Sequence, residues 1–336
     1  MKTLVYHLGI DAGFFTEYTY MTDAIIFCER HGIDFILYSD DANFACGQGW
    51  NDFFKPFCRE THKSMNHKFN THHIPSLKQL LFGQGKRMSV VQALTWKAKV
   101  KAKYALGKTL GLLAYGRPIL LNPDVRPWHG DTDQTTGKTN YEDYLRTFAQ
   151  VNKRIWHLNK ATARECEKQK TELSLPEKYI ACQVRGGDKV TETELLPPSL
   201  YVRLIREKGR GMKDVFVLTD DYAIFEQLRQ LAPDIRWYTL CTPEEKGYVN
   251  GAFVKTSEER KRRQMTRFLS SMDMLMKSEL FVGSVTTGPS LFVLKNKWPD
   301  AVAADCDAAD FPRVATLPIN ERAKVAQGFL STISQE

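Results

Sequence analysis

The chain contains no apolar run of the ~18–20 residues needed to cross a bilayer, which excludes an ordinary membrane span. It also lacks any Cys-x-x-Cys pair. Its seven cysteines, Cys28, Cys46, Cys58, Cys166, Cys182, Cys241 and Cys306, are odd in number and scattered, a pattern that fits free thiols better than a disulfide framework or a structural zinc site. The opening residues, MKTLVYHLGIDAG, run into an acid and glycines instead of an apolar core and cleavage site, so a cytoplasmic location is expected. A third absence is local. From Thr61 to Pro123 there is no Asp or Glu, while Lys63, Lys68, Lys78, Lys86, Arg87, Lys97, Lys99, Lys101, Lys103, Lys108 and Arg117 supply eleven positive charges. The net charge of +8 therefore comes from this stretch, the rest summing to −3 (8 − 11).

What is present is the alternation of an α/β protein. KTLVYHLG reads as a buried strand followed by a turn at Gly9–Gly13, TEYTYMTDAIIFCERHG as an amphipathic helix, and DFILYSDD as a second strand. A strand–helix–strand unit implies a parallel sheet. The basic stretch follows, with a helix over Ser89–Leu106 and an exit strand and turn in RPILLNPDVRPW. Two helices are then expected over Asn140–Phe148 and Gln150–Gln169, and Pro176 marks a linker. Beyond it, YIACQV, DVFVLTDD, IRWYTL and LFVGS read as strands, each followed by a helix: Ser199–Glu207, Tyr222–Leu231, Glu258–Lys277 and Pro289–Asn296. The expected division is a first domain over 1–170 with a basic insertion at about 61–123 and a second over 177–315. A C-terminal helix in 316–336 would pack back on the first domain.

Ligands of open parallel sheets bind beyond the carboxyl ends of the strands. In the second half those ends carry Gln183, Arg185, Gly186, Gly187, Asp188 and Lys189; then Thr219, Asp220 and Asp221; then Ser284, Thr286, Thr287 and Gly288. Each motif alone is more often a turn or a helix cap. Together they suit a nucleoside diphosphate: Arg185 can fork onto phosphate oxygens, Gly186 and Gly187 admit close approach, Thr286–Pro289 offer hydroxyls and amides at a helix start, and Asp220 or Asp221 could accept from a base or ribose.

The segment CQVRGGDKVTETELLPPSLY resembles that of the α1,6-fucosyltransferase superfamily, in which a strand carries His-x-Arg-Arg-x-Asp-Lys followed by a Glu and a Pro. VFVLTDD resembles the family's Thr-Asp-Asp segment, and DMLMKSELFVGSVTTGPS its helix, strand and Ser-Ser phosphate loop. The resemblance spans the C-terminal half only, Tyr179 to Asn296. It implies a GT-B architecture, two Rossmann-like domains facing a cleft, and inverting transfer of fucose from GDP-fucose to a glycan acceptor without a metal or other cofactor. Carried over, Arg185 would hold the β-phosphate, Asp188 and Lys189 would organise the site, Asp220 and Asp221 would meet guanine or ribose, and Thr286 and Thr287 would replace the phosphate-binding serines. Gln183 and Gly186 depart from the family's His and second Arg, which leaves GDP-mannose or a UDP-sugar open as donors.

Inverting transfer needs a base for the acceptor hydroxyl and positive charge for the departing diphosphate. Arg185, Lys189 and the amides at Thr286–Gly288 would supply the charge. The base is expected at Glu194, with Glu192 as the alternative. On the acceptor side, Gly13, Phe14 and Glu17 follow the first strand, and Glu17 could touch the acceptor, serve as an alternative base, or be a first-turn acid favoured by the helix dipole. The two Asp-x-Asp triplets, Asp131–Asp133 and Asp305–Asp307, read as surface acids. His62, His67, His72 and His73 do not share a helical face, so surface or acceptor-contact histidines are expected instead of metal ligands. The run Glu258–Gln264, EERKRRQ, reads as a helix opening, and Gly83-x-Gly85 lacks a Rossmann context. The basic segment 90–115 has the composition of a helix lying on an anionic membrane, on the inner face if the chain is cytoplasmic. No nucleic-acid partner is expected, although a non-catalytic nucleotide- or nucleic-acid-binding protein is the alternative from another class.

Overall fold

The computed structural model describes residues 2–10, 12–70, 77–82, 88–125, 139–186, 195–248 and 253–333. The chain divides into two compact units, residues 1–128 and 129–336.

In the first unit β1 (Thr3–His7), β2 (Asp34–Tyr38), β3 (Arg59–Glu60) and β4 (Ile119–Leu120) form a parallel sheet in the order β3-β2-β1-β4. Strand β1 is buried along its whole length and pairs with β2 from Thr3–Asp34 to His7–Tyr38. An unbroken apolar run is what a strand covered on both faces requires. Helix α1 (Phe14–Arg30) returns the chain between β1 and β2, with Glu17 in its first turn and Arg30 in its last, each matched to the helix dipole. Trp50, 1% exposed, stacks on Phe54 at 4.2 Å and on Tyr18 at 6.0 Å in an aromatic layer beneath the loop after β2.

The basic insertion is helical: α2 (Ser64–Phe69), α3 (Leu77–Phe82) and α4 (Val90–Tyr115). Helix α4 begins at a capping box formed by Ser89 and Gln92. It extends nine residues beyond the expected Leu106 because Gly107 and Gly111 are accommodated, not avoided. A Cβ on Gly111 would lie 1.9 Å from Ile119 Cδ1, and one on Gly107 3.0 Å from Phe69 Cβ, so the two glycines let α4 sit close to β4 and α2. Gly116, at φ 67°, takes the left-handed conformation that ends the helix.

In the second unit β5 (Ile180–Gln183), β6 (Asp214–Leu218), β7 (Arg236–Tyr238), β8 (Leu280–Gly283) and β9 (Val302–Ala303) form a parallel sheet in the order β7-β6-β5-β8-β9. This is a doubly wound sheet whose order reverses between β5 and β8. The fifth strand was not expected, being only two residues long. Helices α7 (Pro198–Lys208), α8 (Tyr222–Leu231), α9 (Glu258–Lys277) and α10 (Gly288–Lys297) fall where the alternation placed them. The run EERKRRQ does open α9, with Ser257 as cap, Glu258 and Glu259 in the first turn, and an Arg263–Glu259 ion pair.

The expected domain boundary needs correction. The break lies at 128/129, not between 170 and 177. The two expected helices are instead α5 (Tyr141–Ile155) and α6 (Lys160–Glu172), and both pack within the second unit. Helix α5 buries Tyr144, Leu145, Phe148, Val151 and Ile155; Phe148 meets Phe292 edge-on at 6.4 Å. Lys295 of α10, itself 3% exposed, donates to Tyr144 Oη at 2.9 Å and lies over the Tyr144 and Phe148 rings. Two short helical elements complete the unit, α11 (Phe311–Val314) and α12 (Ile319–Ile333). In α12, Arg322 donates to Val285 O at 2.8 Å and Leu330 packs on the core of the second sheet.

Candidate functional site

The reversal point of the second sheet brings together the ends of β5 and β8. Here Gln183, 3% exposed, accepts a hydrogen bond from Thr287 Oγ1, linking the end of β5 to the start of α10. Thr287 is the N-cap of α10 by backbone conformation, yet no side chain caps the helix, because its hydroxyl is turned to Gln183. The first-turn amides therefore face the end of the sheet uncapped, with Pro289 in the first turn supplying none of them.

Beneath that turn lies a carboxylate. Asp305, fully buried, accepts from Ser284 Oγ at 2.6 Å and from Val285 N at 2.9 Å. Burial raises its pKa to about 6, against the pull of the Ser284 and Val285 donors. Ser284 gives its proton to Asp305, so Ser284 Oγ accepts from Thr286, whose hydroxyl is 2.6 Å away and whose amide is 3.0 Å away. The expectation that Asp305 is a surface acid is thus corrected; it is the post on which the loop is built. A buried carboxylate is stable only when donors surround it, and the loop after β8 supplies them. The hydroxyl protons of Ser284, Thr286 and Thr287 are spent inside the protein, which leaves the uncapped first turn of α10 as the donor the loop offers.

The other flank is formed by Arg185. Its guanidinium is 2.8 Å from Asp220 Oδ2, donates to Tyr248 O at 3.3 Å and lies 5.7 Å from the Tyr248 ring centre. Asp220 also accepts from Gly186 N at 2.8 Å and Tyr248 N at 2.9 Å. Its carboxylate therefore holds Arg185 and the two backbone segments in place. Asp221 is the N-cap of α8, accepting from Ala223 N at 3.0 Å, and Thr219, 6% exposed, closes the same turn with Asp221. Gly186 sits where the resembled family has a second Arg. A Cβ there would lie 2.8 Å from Asp221 Cβ and 3.0 Å from Ile224 Cδ1, so this backbone has no room for a long basic side chain.

Gly187, Asp188, Lys189, Glu192 and Glu194 lie outside the described residues, as do His72, His73, Gly83, Gly85 and the Asp131–Asp133 triplet. Reasoning from sequence missed Tyr248 and the role of Asp305. Tyr248 follows Gly247, whose φ is 103°, in the segment KGY after β7; a glycine turn beside an aromatic was the available signal.

In the first unit, Glu17 is 2% exposed and accepts from Gly9 N and from Ile10 N at 2.7 Å. Burial raises its pKa to about 7, with the Gly9 and Ile10 amides pulling the other way. It is the first-turn acid of α1, one of the roles expected of it, but a buried one that anchors the loop after β1 through the Gly9 and Ile10 amides. Gly13 precedes α1 and Phe14 stacks on Phe54 at 6.0 Å, half-buried. His62 pairs with Asp40 and His67 with Asp41, both at 2.7 Å. Asp41 also accepts from Asn70 and Tyr38. Among the described residues no group of three or more His, Cys, Asp or Glu is placed to hold a metal ion, and none of the seven cysteines is in a disulfide.

Each unit is a parallel α/β sheet, and the polar constellation of the second stands at its topological switch point. No protein-family model and no curated protein sequence matches the chain. Among solved structures it is similar to the fucosyltransferase NodZ from Bradyrhizobium, with a TM-score of 0.49 and 12% identity over 87% of this chain and 92% of that one. It is also similar to NodZ alpha-1,6-fucosyltransferase co-crystallised with GDP, at a TM-score of 0.45 and 12% identity over 87% and 92%. POFUT1 in complex with GDP-fucose aligns at a TM-score of 0.48 and 11% identity over 90% and 96%.

Proposed function

We propose that the chain is a GT-B glycosyltransferase that moves fucose from GDP-fucose to a glycan acceptor with inversion. The observation that carries this reading is the anion cradle at the β5/β8 switch point: a clamped Arg185 on one side and the uncapped first turn of α10 on the other. A diphosphate placed there would meet a guanidinium held by Asp220 and the first-turn amides of α10, on a loop anchored to Asp305 through Ser284 and Val285. Donors fixed in place before the reaction stabilise developing charge without reorganisation, which is what a departing nucleoside diphosphate needs. Lys189 would add a second positive charge, and Glu194, or else Glu192, would take the proton of the acceptor hydroxyl. With that charge supplied by side chains and amides, the transfer is proposed to run without a metal.

A second reading keeps the cradle and changes the donor. Gly186 leaves no room for the second Arg of the resembled family, so a contact to the nucleotide is made differently here, as GDP-mannose or a UDP-sugar would allow. Thermal shift with GDP, UDP, CMP and dTDP separates the nucleotides, selective stabilisation by GDP supporting a GDP-sugar and by UDP a UDP-sugar, and turnover with GDP-fucose against GDP-mannose separates the two GDP-sugars. Arg185→Ala should lower sugar transfer by about 100-fold or more with an unchanged circular dichroism spectrum. Full turnover by that variant would falsify the assignment.

A further inference from the structure

Helix α4 is apolar on two opposite sides. One side packs on its own unit through Ala93, Gly107 and Gly111, with Trp96, Val100 and Tyr104 half-buried beside them. At about 100° per residue, the side facing away carries Val91, Leu94, Ala98, Ala102, Ala105, Leu106, Leu112 and Leu113. All are exposed, Val91 at 72% and Leu113 at 76%. No charged residue interrupts that stripe. Lys99 and Lys103 line one edge, and Lys97 and Lys101 the other. A helix packed on a water-soluble unit ordinarily turns its polar side outward; here the charged groups are confined to the two borders, and Thr95 and Thr109 are the polar residues between them.

The distribution selects one occupant. A second copy of α4 would bring lysine border against lysine border, and from Thr61 to Pro123 there is no acid to relieve the repulsion. A nucleic acid would be met by the apolar stripe instead of the charges. An anionic lipid surface satisfies both parts at once, taking the leucines and valines among the acyl chains near the headgroups and the lysines among the phosphates. Lys108 is not part of this border, since it is tied to Asp124 at 3.2 Å, and neither is Tyr104, which donates to the same carboxylate.

We propose that the outward face of α4 docks the protein on an anionic membrane, lying in the plane of the headgroups. The proposal does not rest on the transferase reading and fails or stands separately from it. The test is co-sedimentation of the full chain with vesicles of phosphatidylcholine alone and of phosphatidylcholine with phosphatidylglycerol. The unaltered protein should pellet with the mixed vesicles only. Val91→Ser/Leu113→Ser should weaken partitioning by about tenfold or more. Lys99→Gln/Lys101→Gln should weaken it by about fivefold per lysine, with added salt acting alike. Because these side chains are exposed, the thermal midpoint should not move, which separates lost binding from lost fold. No binding to mixed vesicles overturns the proposal. So does equal binding by the Val91→Ser/Leu113→Ser protein, or a dimer in sedimentation velocity that the same double substitution dissolves.

Discussion

Asp220 receives donors from Arg185, Gly186 and Tyr248, and so it positions the guanidinium and two backbone segments. The sequence places an Asp at a strand end; only the fold shows that its oxygens are already used. Glu17 differs from it in electrostatics. Its carboxyl is raised from 4.5 to about 7 by burial, so the folded protein keeps a proton between those pH values that the unfolded chain has released. Stability contributed by Glu17 therefore falls as pH rises from about 4.5 to 7 and is level above. His7, lowered to about 4 by burial, works in the opposite direction, its contribution being lost as pH falls from about 6.5 towards 4. The two overlap, so the diagnostic quantity is the difference between proteins. Glu17→Gln keeps an acceptor for Gly9 and Ile10, and urea unfolding should show its stability gaining on the parent by an amount on the order of 2–3 kcal/mol between pH 4.5 and 7. Parallel pH profiles would show that Glu17 is not buried as described.

At the scale of elements, the loop from β8 into α10 and helix α4 depend on contacts remote in sequence. Ser284 and Asp305 are joined across the sheet edge because β9 brings Asp305 beside the end of β8, with Ala304 N bonded to Gly283 O at 2.8 Å. A two-residue strand carries no periodicity, which is why Asp305 looked like half of a surface Asp-x-Asp. Most other elements were legible: α8 begins at Tyr222 and ends at Leu231 as its apolar spacing and the Asp221 cap require. Helix α4 was legible in its start, where Ser89 and Gln92 make the cap, but not in its length. Gly111→Ala tests the reason. Its new methyl would meet Ile119, at a cost of about 1–3 kcal/mol for overpacking, against about 1 kcal/mol gained in helix propensity. A net loss of up to about 2 kcal/mol in chemical unfolding is expected; a net gain would mean that α4 does not lie against β4.

For the whole molecule, the division at 128/129 assigns α5 and α6 to the second unit. Pro176 looked like a linker because proline ends helices, but the chain before it had already joined the second core through Phe148, Tyr144 and Lys295. Phe148→Ala should therefore destabilise the second unit by about 3–5 kcal/mol. Hydrogen exchange should quicken in β5, β8 and α10 while β1 and β2 keep their protection; equal quickening in β1 would contradict the division.

By itself the sequence determined the class of architecture, since continuous apolar runs alternating with amphipathic helices can bury themselves only as parallel sheets with helices on both faces. It also determined which strand ends carry polar groups, and where acids are missing. The tertiary structure decided which of those polar groups are spent and which face outward. Arg185 is clamped by Asp220, the hydroxyls of Ser284 and Thr287 are turned inward to Asp305 and Gln183, and the apolar residues of α4 divide between a packed stripe and a bare one. Hydrogen-bond capacity and burial belong to partners distant along the chain, and a residue's own neighbours in sequence do not fix either.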